Sequence, residues 1–235
     1  MPPIIFQSRR NCGSKKLRIG LIVPSSNTVM EPDFHRHLAP KGIVSTARIF
    51  LEDVTREAEL RMLQEDLPRA AELIRTTAPD ITVFGCTSAG SLGRLSHDAG
   101  IRDMLAKATG AKAVTVLEAV FAKLRAVHPR KLAVFTPYVE DLTSSVARSL
   151  GEAGFPPVKA AGMGIQANLD IGKVTPAEIV SFVLDQVNGL APDCIFLSCT
   201  NWQAIQAIPA LAATTGVPVI SSNQAAIDFV SSLTQ

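Results

Sequence analysis

The chain is poor in aromatic residues, with one Trp, one Tyr and 10 Phe making up 5% of its 235 positions. It has only four His and four Cys, and its net charge is +2. That charge is too small to argue for a nucleic-acid or membrane-surface partner. The basic residues are scattered, except for Arg9, Arg10, Lys15 and Lys16 in a polar N-terminal stretch read as a flexible tail over 1–16. No apolar run approaches the roughly 20 residues that span a bilayer. The run 2–6 is too short for a signal-peptide core, so a cytoplasmic protein is expected. Thiols stay reduced in that compartment, so the cysteines are not assigned to disulfides.

Several chemistries lack their motifs. There is no Cys-x-x-Cys or His-x-x-x-His spacing, and no His shares a segment with a Cys-Thr pair, which argues against a metal site. Gly85, Gly90 and Gly93 do not form a dinucleotide fingerprint, and no Walker sequence occurs, so no nucleotide cofactor is expected. Gly-x-Ser-x-Gly is absent, which removes the nucleophile elbow of a serine hydrolase. His35, His37, His97 and His128 sit in polar contexts and read as surface residues.

What is present is aliphatic: 47% of the residues are hydrophobic, mostly Ala, Val, Ile and Leu. Short β-rich runs at 17–23, 43–49, 81–85, 113–116, 131–136, 194–198 and 218–220 alternate with helical patterns. The helices are expected at 57–76, 101–109, 117–126, 142–152, 176–188, 202–214 and 224–233. This alternation predicts an α/β fold with parallel sheets covered by helices.

The chain also repeats itself. Arg18-Ile-Gly-Leu-Ile-Val-Pro24 resembles Lys131-Leu-Ala-Val-Phe-Thr-Pro137, 113 positions later. Ala78-Pro79-Asp80, leading to Cys86-Thr87, resembles Ala191-Pro192-Asp193, leading to Cys199-Thr200, at the same offset of 113. Segments 105–116 and 211–222 match at an offset of 106. The expected architecture is therefore two pseudo-symmetric, doubly wound parallel-sheet lobes with the active site between them. The first lobe is taken as 17–115 plus the C-terminal helix 224–235, and the second as 116–223.

Ligands of open parallel sheets bind beyond the carboxyl ends of the strands. The residues there are Ser25, Ser26 and Asn27; Cys86, Thr87 and Ser88; Pro137 and Tyr138; Cys199, Thr200 and Asn201. Cys86 and Cys199 would approach one cleft from opposite sides. Each is expected to open a helix, whose free N–H groups would favour an anion and lower the thiol pKa. Cys194 lies within a strand and reads as core, and Cys12 lies in the tail.

Ile22-Val-Pro-Ser-Ser-Asn-Thr28 with Glu31, Thr136-Pro-Tyr138 and Asn168-Leu-Asp-Ile-Gly172 resemble signatures of the maleate cis–trans isomerases. Gly85-Cys-Thr-Ser88, Leu197-Ser-Cys199 and Gly216-Val-Pro-Val-Ile-Ser-Ser222 resemble the arylmalonate decarboxylases. Both groups belong to the aspartate/glutamate racemase superfamily. The resemblance implies that Cys86 and Cys199 are the catalytic pair, and that Asn27, Tyr138 and Asn168 hold substrate carboxylates. It also implies that Thr87, Ser88 and Tyr138 cradle a carboxylate. Ser26, Thr200 and Asn201 are counted as candidate substrate-binding residues from their places at the strand ends. The decarboxylases carry only the second cysteine, and after Cys199 this chain reads Thr-Asn-Trp-Gln, where the isomerases usually continue differently.

The expectation is a cofactor-independent isomerase of a small carboxylate or dicarboxylate, of the maleate-to-fumarate type, working through a covalent cysteine adduct. Two-thiol racemisation or epimerisation of an amino or hydroxy acid derivative stands beside it. An arylmalonate-type decarboxylase or a non-catalytic binder is a more distant alternative. Short apolar surface helices are read as fitting a homodimer or homotetramer.

Overall fold

A computed structural model describes residues 16–39 and 41–233. Cys12, nearly all of the expected tail and the last two residues of the C-terminal helix lie outside the described residues.

The first half runs β1 (Leu17–Pro24), α1 (Met30–Leu38), β2 (Gly42–Ile49), α2 (Arg56–Arg61), a π-turn (Met62–Asp66), α3 (Leu67–Arg75), β3 (Ile81–Phe84), α4 (Thr87–Gly90), α5 (Leu95–Thr109) and β4 (Lys112–Thr115). The second half runs α6 (Val116–Val127), β5 (Leu132–Thr136), α7 (Glu140–Glu152), β6 (Lys159–Gly162), α8 (Asn168–Lys173), α9 (Pro176–Val187), β7 (Cys194–Leu197), α10 (Ala204–Thr215), β8 (Val219–Ser221) and α11 (Ser222–Ser232). Among the described residues, no helix is long and apolar enough to cross a membrane.

Two four-stranded parallel sheets result, ordered β2-β1-β3-β4 and β6-β5-β7-β8. These are the same topology used twice. The repeated residues explain why. Asp80 takes the backbone N–H of Arg18 on its carboxylate (2.8 Å) and gives its own N–H to the Arg18 carbonyl (2.7 Å). Asp193 does the same to Lys131, at 2.9 and 3.1 Å. Each Asp thus pins the start of a central strand to its neighbour. Gly110 and Gly216 end α5 and α10 in the left-handed region, at φ 68° and 71°, where a residue without Cβ is unstrained. Thr115 and Ser221 then cap α6 and α11 by accepting the N–H of Glu118 and Gln224. Helix α11 packs on α6 and on α1.

The central strands β1, β3, β5 and β7 carry the buried aliphatic core, including Ile19, Leu21, Ile81, Val83, Val134 and Ile195, all fully buried. Burial on both sheet faces is what makes these strands continuous apolar runs.

Four local expectations change. The expected helix 57–76 is interrupted by the π-turn, because Pro68 in the first turn of α3 has no N–H to continue the ladder. Strand β6 reads Lys-Ala-Ala-Gly, without the β-branched residues that mark a strand. Helix α1 is rich in polar residues and has Pro at its third position, yet it buries Met30, Asp33, Phe34 and Leu38 on one stripe. His97, read as a surface residue, is half-buried in α5, with its ring N against the Ala89 carbonyl at 3.2 Å.

Candidate active site

Every strand-end residue singled out in the sequence lies at a carboxyl end of one of the two sheets. Ser25, Ser26 and Asn27 follow β1, Cys86 follows β3, Tyr138 follows β5 and Cys199 follows β7. Cys86 and Cys199 are each 4% exposed. Asn168 arrives from the other direction, at the first position of α8.

These residues are tied across the two halves. Thr200 donates its hydroxyl to the Gly85 carbonyl (3.0 Å) and accepts from Asn27 Nδ2 (3.0 Å). Asn27 Oδ1 accepts the N–H groups of Val29 and Met30, both at 3.0 Å, which sets the start of α1. Asn201 accepts the Thr28 N–H (2.8 Å) and donates to the Asn168 carbonyl (2.6 Å). Asn168 donates to Ser26 Oγ (2.8 Å), and Ser26 donates to the Leu51 carbonyl. Thr87 donates to Ser222 Oγ at 2.9 Å. Asn201 and Thr200 are therefore struts between the halves. A groove of about 580 Å³ is walled by Ser25, Ser26, Leu51, Glu52 and Asp53 from the first half and by Ala167 and Leu169 from the second.

The sulfur environments differ. Cys86 stands at the N-cap of α4, as expected; its sulfur makes no capping hydrogen bond, although the Ala89 N–H is near enough to favour its thiolate. Cys199 does not open a helix: α10 begins only at Ala204, and the intervening turn aims the N–H of Asn201 at Cys199 Sγ (3.2 Å), with Trp202 N–H and the Tyr138 hydroxyl also bonded to it. Thr-Asn in a turn and Thr-Ser at a helix start look alike in sequence, since both residue pairs favour caps and turns.

The expected lowering of the thiol pKa is overturned. Burial pushes Cys199 up to about 12, against the Tyr138 and backbone donors that favour its thiolate. Burial pushes Cys86 well above the ordinary thiol range, and the Glu59 carboxyl beside it adds to the rise. Desolvation outweighs the partial charges of so short a helix as α4. Tyr138 is likewise raised, first by burial and then by the two thiols, both of which lie close enough to act on it.

Glu59, which the sequence reading passed over, completes the cluster. It is 0% exposed, on α2. Its Oε1 accepts the Ser88 hydroxyl and lies 3.9 Å from Cys86 Sγ, and Cys86 Sγ lies 3.7 Å from Ser88 Oγ. Oε2 is buried with no hydrogen-bond partner. Burial pushes its carboxyl up to about 8. The one available signal was its register: Glu59 stands three residues before the buried Met62, on the stripe where an apolar residue belongs. Cys194, in contrast, is buried at the start of β7, and burial pushes its thiol up to about 12.

Two equivalent strand ends thus deliver a thiol each to one buried cluster, which defines a duplicated α/β protein with a two-thiol site. The family model described as arylmalonate decarboxylase matches residues 19–233, and the chain belongs to that family. The arylmalonate decarboxylase of Bordetella bronchiseptica is 29% identical over 209 residues, covering 88% of this chain and 86% of that protein. The maleate isomerase of Geobacillus stearothermophilus is 25% identical over 222 residues, covering 89% and 88%. Among solved structures, a mutant of Nocardia farcinica maleate cis–trans isomerase with a covalently bound succinylcysteine intermediate superposes with a TM-score of 0.82 at 23% identity, covering 92% of both chains.

Proposed function

We propose that the chain is a cofactor-independent isomerase that converts a small cis-unsaturated dicarboxylate of the maleate type into its trans isomer. The observation that carries this reading is the presence of both thiols, Cys86 and Cys199, in one buried cluster with Tyr138 beside them. A decarboxylase working from the second cysteine has no need of Cys86. The succinylcysteine of the Nocardia isomerase supports the same chemistry.

In this reaction the Cys86 sulfur adds to one alkene carbon. A C–S bond forms, and the π pair moves to the neighbouring carbon, where the adjacent carboxylate spreads the charge. The side chains of Asn27, Tyr138 and Asn168, with the backbone N–H groups of Ser26, Thr87 and Ser88, whose hydroxyl protons go to Leu51, Ser222 and Glu59, hold the carboxylates and stabilise that charge. Thr200 and Asn201 fix the distance between the halves. The former double bond is now single and rotates. Cys199 gives and retakes the proton on the opposite face, and elimination of the sulfur leaves the trans product. No oxidation state changes, so the chemistry needs no cofactor. It does need reduced thiols, in keeping with the cytoplasmic expectation, and Cys86, Cys194 and Cys199 are all free.

The test is proton NMR of maleate in deuterated buffer. Fumarate should accumulate with the wild-type chain and fall by at least about 10³-fold with Cys86→Ala. Undiminished fumarate from Cys86→Ala would sink the assignment of the nucleophile. Deuterium appearing at Cα of a chiral amino or hydroxy acid, with maleate untouched, would replace isomerisation with two-thiol racemisation.

A further inference from the structure

Cys86 is a poor nucleophile as it stands: it is buried, and desolvation together with the Glu59 carboxyl outweighs the Ala89 N–H and Ser88 hydroxyl that favour its thiolate. The attack described above therefore needs a proton acceptor at the sulfur. Among the described residues, no histidine is bonded to Cys86. The groups that face it are Ser88 from α4, Tyr138 and Cys199 from the second half, and Glu59 from α2.

We infer that Glu59 is the catalytic base of Cys86, taking the thiol proton as the sulfur bonds to substrate and returning it on elimination. The geometry carries this. Thiol and hydroxyl converge on a single carboxyl oxygen, Oε1, so Ser88 fixes the side chain where it can receive the Cys86 proton. The second oxygen, Oε2, is buried and unpartnered, an arrangement that a purely structural carboxylate would not keep at a cost of about 1–3 kcal/mol. The step balances. The S–H bond breaks and its proton goes to Glu59, the S–C bond forms, and the alkene π pair moves to the neighbouring carbon; elimination reverses each change. A base is most effective when its pKa lies near the operating pH, and burial brings this carboxyl to about 8. The other titratable groups facing Glu59 are Cys199, Tyr138 and Arg56, the last on its own helix with its guanidinium bonded to the Leu92 carbonyl at 2.8 Å.

The inference deepens the isomerase reading, and its test works without a substrate. Iodoacetamide alkylation of Cys86 in the full chain is followed by peptide mass spectrometry from pH 5.5 to 10. In the wild type the rate should rise tenfold per pH unit and level off near pH 8. In Glu59→Gln the plateau should vanish, with the rate at pH 8 at least about 100-fold lower and still climbing at pH 10. Glu59→Asp should keep the inflection with a smaller amplitude, which covers the case of a Gln variant that does not fold. A purely structural Glu59 would leave the pH profile of alkylation unmoved in both variants, and that result overturns the inference. Maleate turnover is then measured on the same proteins. No turnover with an altered alkylation profile removes the isomerase reading and keeps Glu59 as the base. Turnover with an unaltered profile does the reverse.

Discussion

The hydroxyl of Thr200, the residue after the second cysteine, donates to the carbonyl of Gly85, the residue before the first, at 3.0 Å. One hydrogen bond therefore spans the two halves at their thiols. The same Thr200 is held from behind, because Asn223 Nδ2 bonds both its carbonyl (3.1 Å) and Asp33 (2.9 Å).

Thr200→Val keeps the shape and removes the hydroxyl. It leaves the buried Gly85 carbonyl and Asn27 Nδ2 without that partner, a cost of about 1–3 kcal/mol. The spacing of the two sulfurs is then no longer fixed, so kcat should fall by about 10- to 100-fold, while Thr200→Ser stays near wild type. Thermal melting and steady-state kinetics on the three proteins check this; equal kcat in Val and Ser variants would show that the spacing does not matter.

Asp98 gives a pH dependence of stability. It is 5% exposed in α5, its Oδ2 accepts the Thr115 hydroxyl at 2.6 Å, and burial pushes its carboxyl from 3.8 up to about 7. Between those two values the folded chain holds a proton that the unfolded chain has lost. Stability therefore declines as pH rises from about 4 to 7, and the penalty is complete above 7. Glu59 acts with the same sign up to about 8. Asp98→Asn cannot ionise, so its urea midpoint should vary less over pH 4–8 than the wild type's. At pH 8 it should be the more stable protein, by a few kcal/mol at most. A midpoint for Asp98→Asn that falls as steeply as the wild type's would exclude Asp98 as a source of the decline.

What the sequence could reveal follows from which residues do a local job. The duplication was legible because Asp80 and Asp193, Gly110 and Gly216, and Thr115 and Ser221 each perform the same backbone task twice, so the same residue type is kept. Cys86, Cys199 and Tyr138 were legible because they sit where strands end. Strand β6 was not, since Lys-Ala-Ala-Gly is held by pairing to β5 rather than by its own propensity. Glu59 was hidden for a different reason. In Arg56-Glu-Ala-Glu-Leu-Arg61 a carboxylate reads as part of a solvated helix face, and only the packing of α2 against α4 turns it toward Cys86.

The edge strand β6 also explains a glycine that nothing in the local sequence demanded. A Cβ on Gly162 would collide with the Tyr138 carbonyl and the Thr143 hydroxyl, and would lie 3.2 Å from Thr136 Oγ1. The backbone around it is already committed: Met163 N–H bonds the Thr136 carbonyl and Gly164 N–H the Tyr138 carbonyl, both at 3.0 Å. Gly162→Ala must then push β6 and the Tyr138 segment apart, at about 1–3 kcal/mol. Because the Tyr138 hydroxyl bonds Cys199, the displacement should reach the site and lower kcat by about tenfold or more. Gly151→Ala in α7 is the matched control. Its Cβ would meet only the Pro156 Cα, at 3.9 Å, so it should stabilise the chain by about 0.4–1 kcal/mol and leave kcat alone. Paired melting curves and kcat values for the two variants test this directly; a Gly162→Ala protein with wild-type kcat would mean that the Tyr138 segment tolerates the shift and that its position on β6 does not set the chemistry.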